Sequence, residues 1–255
     1  MNLKERQKYI LKKLKQQGTA TTNELVNELK VSKMTINRDF SELEKLGVVE
    51  LFHGGAMYID TDIVEYPIHV KNDIFVNEKK KIAKKVSSLI DDGHTIFLET
   101  GTTVSYAAKE LKGKRSSNFF TNSLSIMKYF STIEDLKLNI IPGTYRPLSD
   151  GFLGVDTLDY IDNLFFDYCI LGVEGISENG RLSVQSKEDA FVKQKIITHS
   201  KNKILLFDKS KINKNFTYSF GTINQFDKII TDYQNAQNLL ENYLVKKDSL
   251  IIAGT

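Results

Sequence analysis

Residues 31–44, VSKMTINRDFSELE, predict one short helix with two different faces. Ile36, Phe40 and Leu43 recur at i, i+4 and i+7, which is the spacing of a buried stripe along a helix. Arg38 falls on the opposite face, where it could meet phosphates and base edges. The pattern therefore indicates a helix that packs on one side and binds on the other.

A second helix precedes this one after a very short turn. Residues 21–24, TTNE, read as a capping box, in which a threonine and a glutamate three residues later satisfy free N–H groups at a helix start. Only residues 30–32 separate the two helices, and Ser32 is expected as the N-cap of the second. A turn this short between amphipathic helices predicts a helix-turn-helix over about residues 20–39.

The flanking segments extend the motif on both sides. Residues 3–17 predict a first helix whose basic residues, Arg6 among them, face outward. Residues 48–52, VVELF, predict a β-strand, and His53-Gly54-Gly55 predicts a tight loop after it. This order of helices, strand and loop is that of a winged helix-turn-helix.

The distribution of charge supports DNA binding. Residues 1–40 contain nine Lys or Arg against four acidic residues, a net charge of +5, while the whole chain carries only +3. The positive charge is therefore concentrated at the N-terminus, as expected for a surface that lies on a duplex.

The segment from Arg6 to Ala56 resembles the DNA-binding domain of DeoR-type transcriptional regulators. The resemblance rests on the string SxMTIxRD at residues 32–39 and on HGGA at residues 53–56. Many members of that family carry a second arginine where this chain has Asn37. The resemblance therefore implies an altered preference for the DNA site.

These observations together give the residues that are expected to contact DNA. They are Thr22, Ser32, Lys33, Met34, Thr35, Asn37, Arg38, His53 and Gly54. For the histidine, a role in capping or in the turn is an equal alternative. For the whole region, the alternative is a small helical core with a solvated charged face.

Length and composition predict two domains. We expect a DNA-binding domain at residues 1–57, a linker at 58–74 and an α/β domain at 75–255. A charged N-terminus and the lack of a long apolar run predict a cytoplasmic protein without a membrane partner. Cys169 lies in an apolar run and is expected to be a buried small hydrophobe, and the scattered histidines predict no metal.

Beyond residue 75, short apolar runs alternate with helical patterns. This alternation predicts a mainly parallel sheet covered on both sides, whose ligands bind at the carboxyl ends of the strands. Strands are predicted at 95–98, 118–121, 137–141, 168–173, 203–207 and 228–230. Helices are predicted at 75–90, 103–111, 123–130, 155–164, 187–199 and 235–244.

Four of the predicted strand ends carry residues suited to a phosphorylated ligand. Residues 99–103, ETGTT, offer a glycine and hydroxyl groups at a helix start, although a simple capped turn is an equal alternative. Residues 121–123, TNS, 172–175, GVEG, and 208–211, DKSK, follow the other three strands. The convergence of these loops predicts one binding pocket.

The same segments resemble the effector-binding domain of DeoR-type regulators, which is related to phosphosugar isomerases and takes phosphorylated sugars. The resemblance implies an effector site that includes Gly101, Thr102, Thr103, Asn122, Glu174, Glu188, Lys193 and Lys211, and the strand-end loops add Thr100 and Gly175 to the expected site. A surface location is an equal alternative for the pair at 188 and 193. The glutamate at 174 replaces an aspartate that is common in the family, which lengthens the carboxylate arm by one methylene.

The expected function is therefore that of a DNA-binding transcriptional regulator that is not an enzyme and needs no cofactor. We expect a repressor of a sugar catabolism operon whose binding to double-stranded operator DNA is controlled by a phosphorylated sugar. A homodimer or homotetramer is expected, because helix-turn-helix dimers set their recognition helices about one DNA turn apart. The alternative is a phosphosugar isomerase-like enzyme with an accessory DNA-binding module.

Overall fold

The computed structural model describes residues 3–45, 48–58, 68–72, 75–236 and 247–254. The chain divides into two compact units, Met1–Ile74 and Phe75–Thr255, which are described separately. The predicted linker at 58–74 lies largely outside the described residues, and so does most of the predicted helix at 235–244.

The N-terminal unit is a winged helix-turn-helix, as the sequence predicts. Its helices are α1 (Leu3–Gln17), α2 (Thr22–Leu29), α3 (Lys33–Lys45) and the short α4 (Ile68–Asn72), and its strands are β1 (Thr19–Thr21), β2 (Val49–Phe52) and β3 (Gly55–Tyr58). The strands form an antiparallel sheet in the order β1-β3-β2, and β2 and β3 make the wing.

The core of this unit confirms the predicted stripe of the second helix. Ile36, Phe40 and Leu43 of α3 are buried, and they belong to one cluster with Leu14 of α1 and Leu25 of α2. Apolar burial on this scale supplies the main favourable free energy for packing short helices that would be marginal alone. The outer face of α3 is therefore left to solvent.

Arg6 corrects the prediction that the basic residues of the first helix face outward. Its side chain is buried, and its Nη2 donates to Asp39 Oδ1 of α3 at 3.0 Å while its Nε pairs with Asp39 Oδ2. The Asp39 carboxylate raises the pKa of Arg6 through this hydrogen bonding. A guanidinium can be buried here because a bidentate carboxylate partner, 33 residues away in sequence, replaces its water.

The C-terminal unit is a three-layer α/β structure. Its helices are α5 (Val76–Ser87), α6 (Thr102–Glu110), α7 (Leu124–Phe130), α8 (Val155–Ile161) and α9 (Lys187–Thr198). Its strands are β4 (Thr95–Leu98), β5 (Asn118–Thr121), β6 (Lys137–Ile140), β7 (Thr144–Arg146), β8 (Gly151–Leu153), β9 (Phe166–Gly172), β10 (Gly175–Ile176), β11 (Arg181–Val184), β12 (Ser200–Phe207), β13 (Tyr218–Thr222), β14 (Lys228–Thr231) and β15 (Leu250–Ile252).

The main sheet confirms the predicted parallel architecture. Its order is β15-β14-β12-β9-β4-β5-β6, and each described pair of neighbours is parallel. One face packs against α5, α6 and α7, and the other against α8 and α9. Because the chain first builds outward from β4 to β6 and then returns to β9, the topological switch point lies between β4 and β9.

Several small antiparallel elements were not predicted from the sequence. Strands β10, β11 and β13 form a second sheet that shares the buried cluster of α9, and β7 pairs with β8 as a hairpin. Strand β15 adds a parallel edge to the main sheet. These strands are two to five residues long, so they carry too little periodicity to be recognised in the sequence.

Candidate DNA-binding and effector-binding sites

The outer face of α3 presents most of the residues predicted to contact DNA. Lys33, Asn37 and Arg38 are exposed, and the Met34 side chain is 82% exposed. The outer face of α3 therefore combines basic, amide and apolar side chains that are all accessible to a partner. The exposure of Arg38 is the feature on which a recognition helix depends.

Two hydroxyl side chains at the start of α3 interact with each other. The Thr35 backbone N–H donates to Ser32 Oγ at 3.2 Å, and the two hydroxyl oxygens lie 2.9 Å apart. Ser32 is therefore the predicted cap of this helix end. Its hydroxyl satisfies one of the free N–H groups at the start of the helix.

Thr22 is buried rather than exposed, unlike most of the predicted contact residues. Its capping neighbour Thr21 accepts from the Glu24 N–H at 3.3 Å, and Glu24 Oε2 accepts from the Thr21 N–H at 2.8 Å, which confirms the capping box. The Thr22 hydroxyl donates to Asn37 Oδ1 at 3.1 Å, and its backbone N–H donates to the Gly54 carbonyl at 2.8 Å. Thr22 thus joins the recognition helix to the wing.

The tip of the wing is an exposed turn at His53 and Gly54. Gly54 has φ +90°, a left-handed conformation that favours glycine. The next residue, Gly55, lies so close to β1 that an added Cβ would be 2.5 Å from the Ala20 carbonyl oxygen. The two glycines therefore shape the wing, and His53 is held at its tip.

In the C-terminal unit, the loop between β4 and α6 leads into a helix start without a side-chain cap. Gly101 is the N-cap of α6, and no side chain among the described residues caps this end. The first free N–H groups of α6 belong to Thr102 and Thr103, whose side chains are buried beneath the loop. Such an end attracts anions through its free donors and the helix dipole.

Glu99, which was not among the predicted site residues, organises this loop. Glu99 is only 2% exposed. Its carboxylate accepts from Thr100 Oγ1 at 2.8 Å and from the Gly172 N–H at 2.9 Å. Gly172 ends β9, and an added Cβ on Gly101 would lie 3.7 Å from its Cα. The loop and the end of β9 therefore meet at the switch point of the sheet.

Lys193 of α9 completes this cluster. Its Nζ lies 2.7 Å from Glu99 Oε1, donates to the Gly172 carbonyl at 3.1 Å and lies 3.8 Å from Asp189 Oδ2. Burial alone would lower the pKa of the Lys193 ammonium, but the carboxylates of Asp189, Glu99 and Glu174 raise it above its ordinary value. Lys193 therefore stays charged. The surface alternative for this residue is wrong.

Asn122 follows β5 and attaches the β7–β8 hairpin to the sheet. Its side-chain Nδ2 donates to the Phe152 backbone carbonyl at 3.1 Å, and the backbone carbonyl of Asn122 accepts from the Phe152 N–H at 2.8 Å. Within the described part of the chain, no donor reaches its buried Oδ1. Gly151 of the hairpin lies so close that an added Cβ would be 2.2 Å from Thr100 Cγ2. The hairpin thus borders the same loop.

Three predicted site residues lie at the edge formed by β10 and its neighbours. Glu174 Oε2 accepts from the Gln185 N–H at 2.8 Å. Gly175 is buried, and an added Cβ there would be 2.7 Å from the Lys214 carbonyl oxygen, so packing requires glycine. Lys211 directly precedes Ile212, which forms a β-bridge with Ile176 of β10. This bridge brings the segment at residues 208–211 next to Gly175.

Glu188 at the start of α9 is exposed and lies near a cation that was not predicted. Its pKa is lowered first by its own backbone N–H, then by the Ser186 hydroxyl that donates to its Oε2 at 2.9 Å, and further by Arg146 and Lys187. Arg146 pairs across the hairpin with Gly151, the residue that packs against Thr100. No periodic pattern in the sequence marks this arginine, since only the hairpin places it there.

Among the described residues, no group of three or more metal-ligating side chains comes together. None of the described helices combines the length and apolar character needed to cross a bilayer.

Two protein-family models match the chain. The DeoR-like helix-turn-helix domain matches residues 6–62, and the DeoR C terminal sensor domain matches residues 74–233. The glycerol-3-phosphate regulon repressor of Escherichia coli (strain K12) is 33% identical over 232 residues, 91% of this chain and 92% of that protein. The lactose phosphotransferase system repressor of Staphylococcus epidermidis (strain ATCC 35984) is 33% identical over 249 residues, 96% of this chain and 98% of that protein.

Solved structures resemble the chain only over part of its length. Ribose 5-phosphate isomerase A from Methanocaldococcus jannaschii has a TM-score of 0.39 and 19% identity, covering 53% of this chain and 54% of that one. The translation factor eIF2B beta from Chaetomium thermophilum has a TM-score of 0.43 and 16% identity, covering 63% of this chain and 52% of that one.

An exposed recognition helix with a wing, followed by an α/β unit with an anion-attracting loop, defines a DNA-binding transcriptional regulator with a sensor domain. Both units match models of one family, and the matches to the curated relatives cover nearly the whole length of this chain and of those proteins. The chain belongs to the DeoR family.

Proposed function

We propose that this chain represses an operon of sugar catabolism and that a phosphorylated sugar controls its binding to operator DNA. The observation that carries the proposal is the presence, in one chain, of an exposed recognition helix and an uncapped α6 N-terminus beside buried, fixed polar groups. Relatives named for the glycerol-3-phosphate regulon and the lactose phosphotransferase system support a role in sugar metabolism. Two copies of the chain would place two recognition helices on one operator.

We further propose that the effector phosphate sits at the N–H groups of Thr102 and Thr103, with the sugar toward Asn122 and Glu174. The buried Asn122 Oδ1 supports this, because it offers an acceptor to a sugar hydroxyl. Lys193 supports the loop from below through Glu99. The cation at the rim is Arg146, whose hairpin borders the loop.

The test is a gel shift on DNA from upstream of the protein's own gene, with a panel of phosphorylated sugars and the matching free sugars. One or more phosphorylated sugars should change the fraction of shifted DNA, and the free sugar should not. No shift at any salt concentration would contradict DNA binding. A shift that every sugar leaves unchanged would contradict the effector part of the proposal.

Arg146→Ala sharpens this test at the effector site. Loss of one charge-assisted hydrogen bond to a phosphate costs roughly 1.5–3 kcal/mol, so about tenfold or more effector should be needed for the same response. Lys187→Ala, a neighbour of Glu188 on α9, is the control and should respond like the wild type. Equal responses of the two variants would remove Arg146 from the site.

The isomerase alternative predicts turnover of a phosphosugar by the purified protein. General acid-base isomerisation needs a carboxylate that is available to take a proton from substrate. Here Glu99 accepts from Lys193, Thr100 and Gly172, and Glu174 accepts from Gln185. We therefore expect no conversion of any sugar that changes the gel shift, and sustained conversion would favour the enzyme.

A further inference from the structure

Thr22 and Asn37 form a pair whose chemistry bears on which bases are read. Asn37 lies on the exposed face of α3 between Met34 and Arg38, while Thr22 is only 8% exposed. Their hydrogen bond joins the Thr22 hydroxyl to Asn37 Oδ1 at 3.1 Å. The terminal amide of the exposed Asn37 is thus held by the buried Thr22.

Thr22, which holds Asn37, is itself fixed by two sets of contacts. The capping box of Thr21 and Glu24 sets the first turn of α2, in which Thr22 lies. The backbone N–H of Thr22 donates to the Gly54 carbonyl of the wing at 2.8 Å. Because both ends of the support are anchored, the amide of Asn37 has less freedom to rotate than an exposed asparagine normally has.

The orientation of this amide decides what it can offer to DNA. An asparagine reads adenine with both its oxygen and its nitrogen, since adenine shows an acceptor and a donor in the major groove. The Asn37 oxygen faces Thr22, and the planar amide directs the Nδ2 group the other way. Within the described part of the chain, no acceptor takes the two N–H donors of Asn37.

We infer that Asn37 donates to one base acceptor in each half-site, guanine O6 or N7, thymine O4 or adenine N7, and that Thr22 is the positioning residue that makes it a donor. Cytosine shows only an N–H donor in the major groove and would set this group against the amide N–H. This inference rests on the proposed function, because it assigns one contact within the DNA binding that the proposal requires.

The experiment is selection of bound duplexes from a randomised DNA pool by the full-length protein, followed by affinity measurements on single-base variants of the selected site. The wild type should show one position per half-site at which cytosine is disfavoured by about fivefold to tenfold relative to the other three bases, the effect of one net hydrogen bond. Asn37→Ala should lose this preference and keep the others. Asn27→Ala, the same change at an exposed position of α2, should keep all of them.

Variants of Thr22 test the positioning role. Thr22→Val should lose the preference at the same position as Asn37→Ala, and Thr22→Ser, which retains the hydroxyl, should restore it. Thermal unfolding of each variant, together with binding to duplexes that lack the site, separates this effect from a loss of structure. A folded Thr22→Val protein with the wild-type preference would overturn the inference, and so would a preference for cytosine at the position that Asn37→Ala changes.

Failure of this inference differs from failure of the proposed function. If the wild type selects no DNA, the proposed function fails. If the wild type selects a site whose base preferences do not depend on Asn37, DNA binding stands and this inference fails.

Discussion

Both units of the chain bury an ion pair, but the two pairs stand in different relations to the binding surfaces. Arg6–Asp39 lies inside the N-terminal unit, with side chains 7% and 0% exposed, and joins α1 to the inner side of α3. Lys193–Glu99 is equally buried at 2% and 3%, yet Glu99 directly precedes Thr100 and the open start of α6. The first pair fixes α3 from its buried side, whereas the second belongs to the loop that we propose holds the effector phosphate.

This difference separates stability from function in a testable way. Removal of one partner leaves the other charge buried and unpaired in either unit, and this is costly. Only in the C-terminal unit should the same change also alter ligand binding through the shape of the loop.

The largest effect is expected for Lys193→Met. The variant leaves Glu99 without its cation, and we expect a loss of about 3–5 kcal/mol in the free energy of unfolding together with loss of the effector response. Chemical denaturation and the gel shift measure the two effects. Lys195→Met is the control, because that lysine pairs with the half-exposed Asp162 and should cost less than about 1 kcal/mol.

Adding Glu99→Gln to Lys193→Met sharpens the distinction. The double variant should regain part of the lost stability, since the unpaired charge is gone, but it should not regain the effector response. Full recovery of the response would mean that the pair has no role in the loop.

The next effect is expected for Asp39→Ala in the N-terminal unit. Arg6 would lose its bidentate partner, and we expect the free energy of unfolding to fall by about 1–3 kcal/mol with the effector affinity unchanged. Thermal unfolding and effector binding measure these quantities. Glu42→Ala, which breaks only the exposed pair with Lys45, should be close to neutral. Equal stability of the two variants would contradict a scaffold role.

Arg38→Ala tests the opposite face of the same helix. Because Arg38 is exposed, its loss should leave stability and effector binding unchanged while operator affinity falls about tenfold, the effect of one phosphate or base contact. Fluorescence anisotropy with labelled operator measures the affinity. Equal losses of operator and effector binding would contradict the division of labour between the two units.

The smallest effect concerns Cys169 in the core of the C-terminal unit. Burial raises the pKa of its thiol from 9.0 to about 12. The unfolded thiol ionises first as pH rises, so stability is lost above the unfolded pKa, by about 0.8 kcal/mol at pH 9.5 and almost nothing at pH 7. The comparison is the pH dependence of unfolding in the wild type and in Cys169→Ala. Identical curves would show that this thiol is not buried.

Most of the fold follows from local patterns. Helices α1, α2 and α3 and the central strands lie within a few residues of their predicted bounds, because each carries enough periodicity or apolar length to be recognised alone. The short helix α4 lies in the segment predicted as a linker. The short strands β7, β8, β10 and β11 were not predicted, because they form only by pairing with partners outside the local sequence pattern. The same is true of Arg146, whose position opposite Gly151 depends on the β7–β8 hairpin.

The candidate sites divide in the same manner. Sequence patterns identified the loop at 99–103 and the outer face of α3, because a strand end and an amphipathic helix are local features. They did not identify Glu99 as the centre of the cluster, and they treated Arg6 as a surface cation. Charge alone does not tell whether a side chain is solvated or paired.

The sequence by itself determined the order of elements, the two-faced recognition helix and the parallel sheet, because hydrophobic periodicity acts over one helix or strand. Only the tertiary structure decided that Arg6, Thr22 and Lys193 are buried. The physical reason is that a polar group leaves water only when a partner from another element replaces its hydrogen bonds, and those partners are Asp39, Asn37 and Glu99.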